Sequence, residues 1–290
     1  MRLKLFKTLW GFSGPYCDAI NEAVTAHMQG IEGPAPLDAR AGKDLYYQLQ
    51  DAQLDFIAEI TTAGSYVPER NATLQQHLDS LAVKLEASLR LEPLFITCLG
   101  GCDAWPETKN LEFLQRAMDM ADDFGIDISF ETHRGRAFFN PWVTQRLVRQ
   151  LPGIKLTCDF SHWCVVCERL IDSELDLIEE LAPHAHHIHA RVGYDQGPQA
   201  PHPAAPEYET ALRAHQRWWQ IIWDAQREAG YEITTMTPEF GPDGYLHEQP
   251  FTRKPVADLW KINQWMASEE RQHFNDYYRG VESADLRGVQ

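Results

Sequence analysis

The chain has 290 residues, which is long enough for two average domains or for one large α/β barrel. It carries 26 Lys and Arg against 42 Asp and Glu, so its formal net charge is -16. This balance argues against a protein that works mainly by binding the phosphates of nucleic acid or of a membrane surface. No apolar run reaches the ~18 residues of a membrane span, and the amino-terminal segment is strand-like rather than a signal peptide. We therefore expect a cytoplasmic protein.

The six cysteines include two closely spaced pairs, Cys98 with Cys102 and Cys164 with Cys167. Together the four thiols resemble a sparse zinc site. Both pairs, however, lie in or beside apolar stretches, where a free cysteine usually packs as a small hydrophobic residue. We expect free thiols in a reducing compartment and no zinc site.

Short apolar and β-branched runs alternate with amphipathic stretches along the chain. Strands are predicted over Leu3–Trp10, Gly30–Glu32, Leu54–Thr61, Pro93–Leu99, Ile126–Glu131, Ile154–Asp159, His186–Val192 and Thr234–Phe240. Helices are predicted between them, for example over Ala72–Leu91, Leu111–Phe124, Pro141–Leu151, Ser173–Leu181 and Glu207–Gly230. Eight alternating units are typical of a single (β/α)8 TIM barrel. A doubly wound sheet is the alternative, but no G-x-G-x-x-G follows the first strand.

We predict that residues 1–290 form one TIM-barrel domain, since no shift in composition marks a boundary. A Pro-rich stretch at about 193–208 directly follows the seventh strand. It could be a disordered linker, but its position favours an extended loop over the barrel mouth. The tail at about 256–290 is predicted to be helical, with an aromatic cluster that serves internal packing or a homo-oligomer contact.

The last four strands end in residues that can bind a metal. Active sites of TIM barrels lie at the carboxyl ends of the strands, and strands five to eight end with Glu131, Asp159, His189 and Glu239. This set of oxygen and nitrogen ligands suits Mg²⁺, Mn²⁺, Co²⁺ or Zn²⁺. Three carboxylates without a cation would repel one another. Each residue alone could be a helix cap, an ion pair or a core histidine, but four successive strand ends favour one divalent metal ion.

With these residues in place, the chain resembles the xylose-isomerase-like TIM barrels, a superfamily of sugar isomerases and epimerases. The resemblance runs from residues 9–11 (Leu-Trp-Gly) to residues 238–241 (Pro-Glu-Phe-Gly). It implies that Glu131, Asp159, His189 and Glu239 hold one divalent metal. In the ketose 3-epimerases of this family the two glutamates also flank the substrate and exchange its proton. The resemblance thus implies that Glu131 and Glu239 are catalytic.

The same resemblance implies substrate contacts from a His three residues after the metal Asp and from an Arg shortly after the metal His. His162 and Arg191 occupy these places. The run from Glu131 to Arg136 also contains His133 and Arg134 and is more basic than a simple ketose epimerase requires. It could recognise a carboxylate or phosphate through an arginine fork, or it could form surface ion pairs with the acidic shell.

Aromatic residues near the rim could supply a wall on which a sugar stacks, although such residues often only pack. The candidates are Trp10, Trp105, Phe138 and Trp163. We include Trp10 with His162, Arg191, His133 and Arg134 among the predicted substrate-binding residues.

The predicted function is a metal-dependent isomerase or epimerase acting on a small carbohydrate or a derivative of one. A glutamate would remove the proton beside a carbonyl, and a metal-bound enediolate would form. A dehydratase or lyase acting on a keto-sugar or sugar acid and a non-catalytic metal- or sugar-binding barrel remain alternatives. We do not expect an endonuclease-IV-like enzyme, because strands two and three end in Glu32 and Thr61-Thr62 and no Asp-x-His follows His189.

Overall fold

Eight parallel strands close into a barrel in a computed structural model, which describes residues 1–242 and 244–288 and side chains up to residue 280. The strands are β1 (Arg2–Thr8), β2 (Gly30–Gly33), β3 (Asp55–Thr61), β4 (Ile96–Leu99), β5 (Ile128–Glu131), β6 (Lys155–Cys158), β7 (Ala185–His189) and β8 (Ile233–Thr237). They follow one another in chain order, and β8 closes the barrel on β1 with Arg2 opposite Ile233. The predicted (β/α)8 TIM barrel is confirmed.

Helices connect the strands on the outside of the barrel. They are α1 (Tyr16–Thr25), α2 (Ala39–Ala52), α3 (Leu74–Leu89), α4 (Glu107–Asp123), α5 (Pro141–Gln150), α6 (Ser161–Val166), α7 (Leu175–Leu181), α8 (Glu209–Glu228) and α9 (Leu259–Gly288). Their starts follow local rules. Thr73 and Gln76 form a reciprocal capping box at α3, and Asn140 caps α5 just before Pro141.

Four strands end earlier than predicted. β8 ends at Thr237 rather than Phe240, and the Phe240 N–H donates to Asn263 Oδ1 at 2.9 Å and the Gly241 N–H to Gln199 Oε1 at 2.8 Å, so that polar side chains replace the strand ladder there. β1 ends at Thr8 rather than Trp10, β6 at Cys158 rather than Asp159, and β7 at His189 rather than Val192. The residues just beyond the strands therefore turn into the barrel mouth.

The inside of the barrel is built in layers that lead up to this mouth. Phe6, Ile57 and Phe95 form a small apolar cluster separate from the main core. Above it, Thr157 Oγ1 lies 2.6 Å from Ser129 Oγ and 3.2 Å from Thr97 Oγ1. Because side chains alternate along a strand, the residues two positions further on also point inward, at the carboxyl end.

The long segment after β7 packs against the barrel. Gln199 and Ala200 are buried, and Gln199 Nε2 donates to the Gly241 carbonyl at 3.1 Å. The segment ends in a 3₁₀ turn at Pro206–Tyr208 that leads into α8. Residues 193–205 otherwise form a loop of turns and bends, with one isolated antiparallel bridge between Tyr194 and Gly197.

The carboxyl-terminal helix α9 packs on α8 through its aromatic residues. The rings of Trp223 and Phe274 are 5.0 Å apart, and the Tyr277 hydroxyl donates to Asp224 at 2.5 Å. The aromatic cluster in the tail thus serves internal packing. Among the residues that the structure describes, no helix combines the length and apolar character that crossing a membrane requires.

Candidate metal centre and pocket

Four ligand-type side chains meet at the carboxyl end of the barrel. One oxygen each from Glu131, Asp159 and Glu239 and one nitrogen of His189 lie within 4.8 Å of one another, and all four residues are buried. Glu131 and His189 are the last residues of β5 and β7, Asp159 directly follows β6, and Glu239 comes two residues after β8. The sequence-predicted ligand set is thus brought together.

The pleat of the strands explains why these side chains converge. Ser129 and Thr157, which share a hydrogen bond inside the barrel, precede Glu131 and Asp159 by two residues. Side chains two apart share one face of a strand, so both carboxylates point into the mouth. Beyond β8, Gly241 lets the chain pass against Trp10, since an added Cβ would lie 2.2 Å from its ring.

The environment of His189 fits a bound cation. Its Nε2 lies 3.1 Å from Glu32 Oε1 and donates the ring proton to that carboxylate. Nδ1 faces Glu239 Oε2 at 3.0 Å and Glu131 Oε1 at 3.8 Å. Burial opposes a charge on this ring, but Glu239 and Glu32 raise the pKa of His189 well above its usual range. The two carboxylates beside Nδ1 thus call for a positive charge, which a proton on Nδ1 supplies and which a divalent metal can supply in its place.

Glu32 supports this histidine from the second strand. Its other oxygen lies 3.1 Å from His187 Nε2, and His187 Nδ1 lies 2.7 Å from Thr235 Oγ1. A carboxylate that holds the outer nitrogen of a metal histidine fixes the orientation of the ring. Sequence reasoning placed Glu32 at a strand end without giving it a role. The His-x-His spacing of residues 187 and 189 was the available signal, since both imidazoles face inward.

Asp159 is held by a separate network. Its Oδ1 accepts hydrogen bonds from the backbone N–H and the hydroxyl of Ser161, at 3.0 and 2.5 Å, while its Oδ2 accepts one from Arg191 Nη2. Arg191 also donates to Ser161 Oγ at 3.0 Å and to His162 Nε2 at 2.7 Å. His162 is thus neutral with its proton on Nδ1. Burial and the neighbouring charges of His133 and Arg191 hold its pKa well below the usual range.

Burial and mutual repulsion shift the pKa values of the carboxylates. Burial raises the pKa of Glu131 to about 7, with His189 opposing the shift and Glu239 adding to it. Burial also raises the pKa of Asp159, although Arg191 counteracts it. A bound divalent cation would lower both pKa values, because it becomes the largest local charge.

A cavity of about 340 Å³ opens beside the four ligands. Glu131, Glu239, His133 and Arg191 border it from the ends of β5 to β8, which we call the metal-side wall. The opposite wall consists of residues from the ends of β2 to β4 and from α3. It mixes apolar and polar residues, which are Pro34, Ala35, Leu37, Ile60 and Leu99 on the one hand and Glu59, Thr61, Ser65, Lys84 and Ser88 on the other.

Three aromatic rings cover the cavity, and only one of them was predicted. Trp10 lies 4.8 Å from Tyr245 and 6.1 Å from Tyr66, measured between ring centroids, and all three line the cavity. The guanidinium of Arg191 lies 5.2 Å from the Trp10 ring and 4.9 Å from the Tyr245 ring. Both tyrosines come from loops, where no strand pattern marked them.

The other predicted aromatic residues do not reach the cavity, so that part of the prediction is wrong. Trp163 is fully buried and donates its indole N–H to the Phe138 carbonyl at 3.0 Å. Trp105 packs on His77, with ring centroids 4.7 Å apart. All three belong to the main hydrophobic core, so the packing alternative holds for them.

The basic run after β5 splits into three different environments. His133 is buried and borders the cavity, and its ring lies 4.0 Å from that of His162. Arg134 is partly exposed, with its guanidinium 5.0 Å from the Tyr245 ring. Arg136 is buried and donates to backbone carbonyls, at 2.7 Å to Thr62 and at 3.2 Å to Tyr66, and also to Ser65.

Both roles predicted for the basic run, anion recognition and surface ion pairing, are therefore wrong for Arg136. It ties the loop after β3 to the loop after β5 instead. A buried guanidinium can replace its lost hydration by several carbonyl acceptors, and this exchange is not visible in a sequence.

Comparison with known proteins finds likeness in structure but not in sequence. No protein-family model matches the chain. No curated protein sequence matches it. Among solved structures, a D-psicose 3-epimerase is 15% identical, with a TM-score of 0.62 over 92% of this chain and 98% of that one. The 3-keto-D-glucoside 4-epimerase YcjR from E. coli is 11% identical, with a TM-score of 0.63 over 93% and 100%.

An enzyme with different chemistry is just as similar. Endonuclease IV from Thermus thermophilus is 13% identical and has a TM-score of 0.61, covering 95% of this chain and 100% of its own. At such identities the likeness concerns the fold and not the reaction. Taken with the closed eight-stranded barrel, these matches establish that the chain has the fold of the xylose-isomerase-like TIM barrels.

Proposed function

We propose that the protein is a divalent-metal-dependent isomerase or epimerase of a small carbohydrate or carbohydrate derivative. Glu131, Asp159, His189 and Glu239 would hold the metal. A divalent ion there would polarise a substrate carbonyl and make the neighbouring C–H acidic. The names of similar structures, among them two sugar epimerases, support this class of reaction.

One observation carries the proposal: two glutamates approach the same imidazole nitrogen from different strands. Glu131 ends β5 and Glu239 follows β8, and their oxygens lie 3.8 and 3.0 Å from His189 Nδ1. Both also border the cavity. Two carboxylates at one substrate site can share the work, one removing a proton and the other returning it. Return at the same carbon gives epimerisation, and return at the adjacent carbon gives isomerisation.

The other polar groups on the metal-side wall would bind and orient the substrate. His133 Nδ1 is buried without a hydrogen-bond partner in the described part of the chain, so it is free to bind a substrate oxygen. Arg191 adds a positive charge beside Asp159, and burial does not remove it, since Asp159 and Glu239 raise the pKa of its guanidinium. Trp10 and Tyr245 would exclude water above the reacting carbon.

Proton exchange with solvent tests this proposal without a guess at the product. The Mn²⁺-loaded protein is incubated in D₂O with D-fructose, D-allulose, D-fructose 6-phosphate and a keto-acid, and deuterium uptake is measured by mass spectrometry. We expect uptake into at least one sugar, which disappears when the metal is removed. Absence of uptake across this panel would contradict the proposal, and loss of water from a substrate would indicate a dehydratase instead.

A further inference from the structure

An acidic side chain on the opposite wall faces the cavity without a partner. Glu59 lies on β3 two residues after Ile57, which belongs to the apolar cluster inside the barrel, so its side chain also points inward. It is half-buried and borders the cavity. None of the described residues forms a hydrogen bond or an ion pair with its carboxylate. Its neighbours on β3, Ala58 and Ile60, are buried and apolar.

An ammonium group borders the same part of the cavity. Lys84 extends from α3, and its Nζ donates to the carbonyl of Thr61 at 2.5 Å and to the Thr61 hydroxyl at 3.2 Å. An ammonium has three N–H donors, so one remains for a ligand. The two contacts to Thr61 hold the amine at the end of β3, beside the strand that carries Glu59.

These two groups are not part of the four-ligand cluster. Glu59 belongs to none of the ligand-type clusters within the described chain, whereas Glu131, Asp159, His189 and Glu239 form one. Glu59 nevertheless lies within electrostatic reach of that cluster, since burial and the charges of Glu239, Glu32 and Glu131 raise its pKa well above the usual range. Leu99 at the end of β4 and Tyr66 line the same cavity. A cavity of about 340 Å³ is near the lower limit for ligand pockets. One small molecule would therefore contact both the metal ligands and the pair of Glu59 and Lys84.

We propose that Glu59 and Lys84 form a second subsite, which binds hydroxyl groups of an uncharged part of the substrate that the metal does not hold. This inference rests on the proposed function, since it concerns another part of the same ligand. A carboxylate accepts a hydrogen bond from a hydroxyl and an ammonium donates one to it, so the pair suits neighbouring hydroxyls.

The acidic surroundings of Glu59 would disfavour an anionic substrate. A phosphate or carboxylate group at this place would lie beside Glu59, in a cavity that Glu131 and Glu239 also line, and the charges of Glu239, Glu32 and Glu131 that act on Glu59 would act on the anion as well. The buried arginine that could have recognised an anion, Arg136, is instead committed to backbone carbonyls. We therefore expect a neutral sugar to bind in preference to its phosphorylated form.

The test compares two ligands that differ by one phosphate group, and the Glu59→Gln variant separates the effect of charge from that of size. Binding of D-fructose and of D-fructose 6-phosphate to the Mn²⁺-loaded protein is measured by calorimetry for the wild type, Glu59→Gln, Lys84→Met and the control Glu86→Gln. Glu86 lies on the same helix as Lys84 and is exposed. We expect about tenfold weaker D-fructose binding in Glu59→Gln and a smaller loss in Lys84→Met. The ratio of the two affinities, D-fructose over D-fructose 6-phosphate, should become smaller in Glu59→Gln and in no other variant.

Mn²⁺ affinity and the circular dichroism spectrum show whether each variant keeps its fold and its metal site. Tighter binding of the phosphate by the wild type, no binding of D-fructose, or an unchanged preference in Glu59→Gln would each overturn the subsite. Failure of the proposed function has a different signature. In that case binding still depends on Glu59, but no ketose takes up deuterium.

Discussion

The two walls of the cavity are built differently. On the metal-side wall two of the four ligands are held by further side chains: Glu32 holds His189, and Ser161 and Arg191 hold Asp159. On the opposite wall apolar and polar residues are mixed, and Glu59 has no hydrogen-bond partner among the described residues. Groups that perform chemistry must be held in one geometry, whereas groups that choose among substrates need only be present and desolvated. The contrast assigns reaction to one wall and substrate choice to the other.

The largest test of this contrast removes a reacting group from the metal-side wall. We expect Glu239→Gln to lower the rate of deuterium exchange about 10²–10⁴-fold, because the amide cannot accept the substrate proton. Rates are measured in D₂O with the Mn²⁺-loaded protein. Glu228→Gln, at the exposed end of α8, serves as the control. Full activity in Glu239→Gln would show that the chemistry lies elsewhere.

A smaller effect is expected when the support is changed and the ligands are kept. Glu32→Gln should weaken Mn²⁺ binding about 10–100-fold, since the amide holds His189 Nε2 less firmly than a carboxylate does. Calorimetric titration of Mn²⁺ measures it. The variant Glu86→Gln, at an exposed position of α3, is the control, and its Mn²⁺ affinity should not change. Equal affinities of Glu32→Gln and the wild type would remove the distinction between supported and unsupported groups.

Both walls also rest on neutral buried histidines, which predicts a common weakness in acid. Behind the metal-side wall, on α8, His215 Nε2 accepts the Gly193 N–H at 3.2 Å, and burial lowers the pKa of His215 to about 4. Behind the opposite wall, His77 Nδ1 lies 2.8 Å from the Thr62 hydroxyl, and burial likewise lowers the pKa of His77 to about 4.

Each histidine binds a proton near pH 6.5 in the unfolded chain but only near pH 4 in the folded chain. Stability is complete above that pH and falls as the pH drops towards 4. For His215 the loss is roughly 2 kcal/mol by pH 5. Urea unfolding of metal-free protein at pH 7.5 and pH 5 measures it, and His215→Gln should flatten the dependence relative to the wild type. The slope of stability against pH is compared with that of the wild type, because the raised pKa of Glu131 contributes to both slopes and acts in the opposite direction. An unchanged slope in His215→Gln would contradict the prediction.

Much of the metal-side wall could be predicted from sequence because its residues lie at strand ends. Glu131, Asp159, His189 and Glu239 each follow a recognisable apolar run, and barrel topology places successive strand ends side by side. The fold could be predicted for the same reason. The ends of β1, β7 and β8 could not, since the amide groups of Gln199 and Asn263 that terminate β8 come from distant segments.

The opposite wall was largely hidden from the sequence. Glu59 lies inside β3 and not at its end, so a search for polar residues at strand ends does not identify it. Its position two residues after the inward-facing Ile57 was a usable signal. Tyr66 and Tyr245 belong to loops without periodic patterns. Trp163 was misplaced because a large aromatic residue after a strand can turn either to the mouth or to the helices, and only packing decides which.

The guanidinium of Arg136 joins two loops into one transferable unit. It binds carbonyls of the segment 62–66, after β3, from its own place after β5. A chimera that received only one of these segments from another barrel would bury either a charge without acceptors or carbonyls without donors. Exchange of loops among barrels of this fold must therefore move residues 62–66 and 133–136 together, as a single cassette.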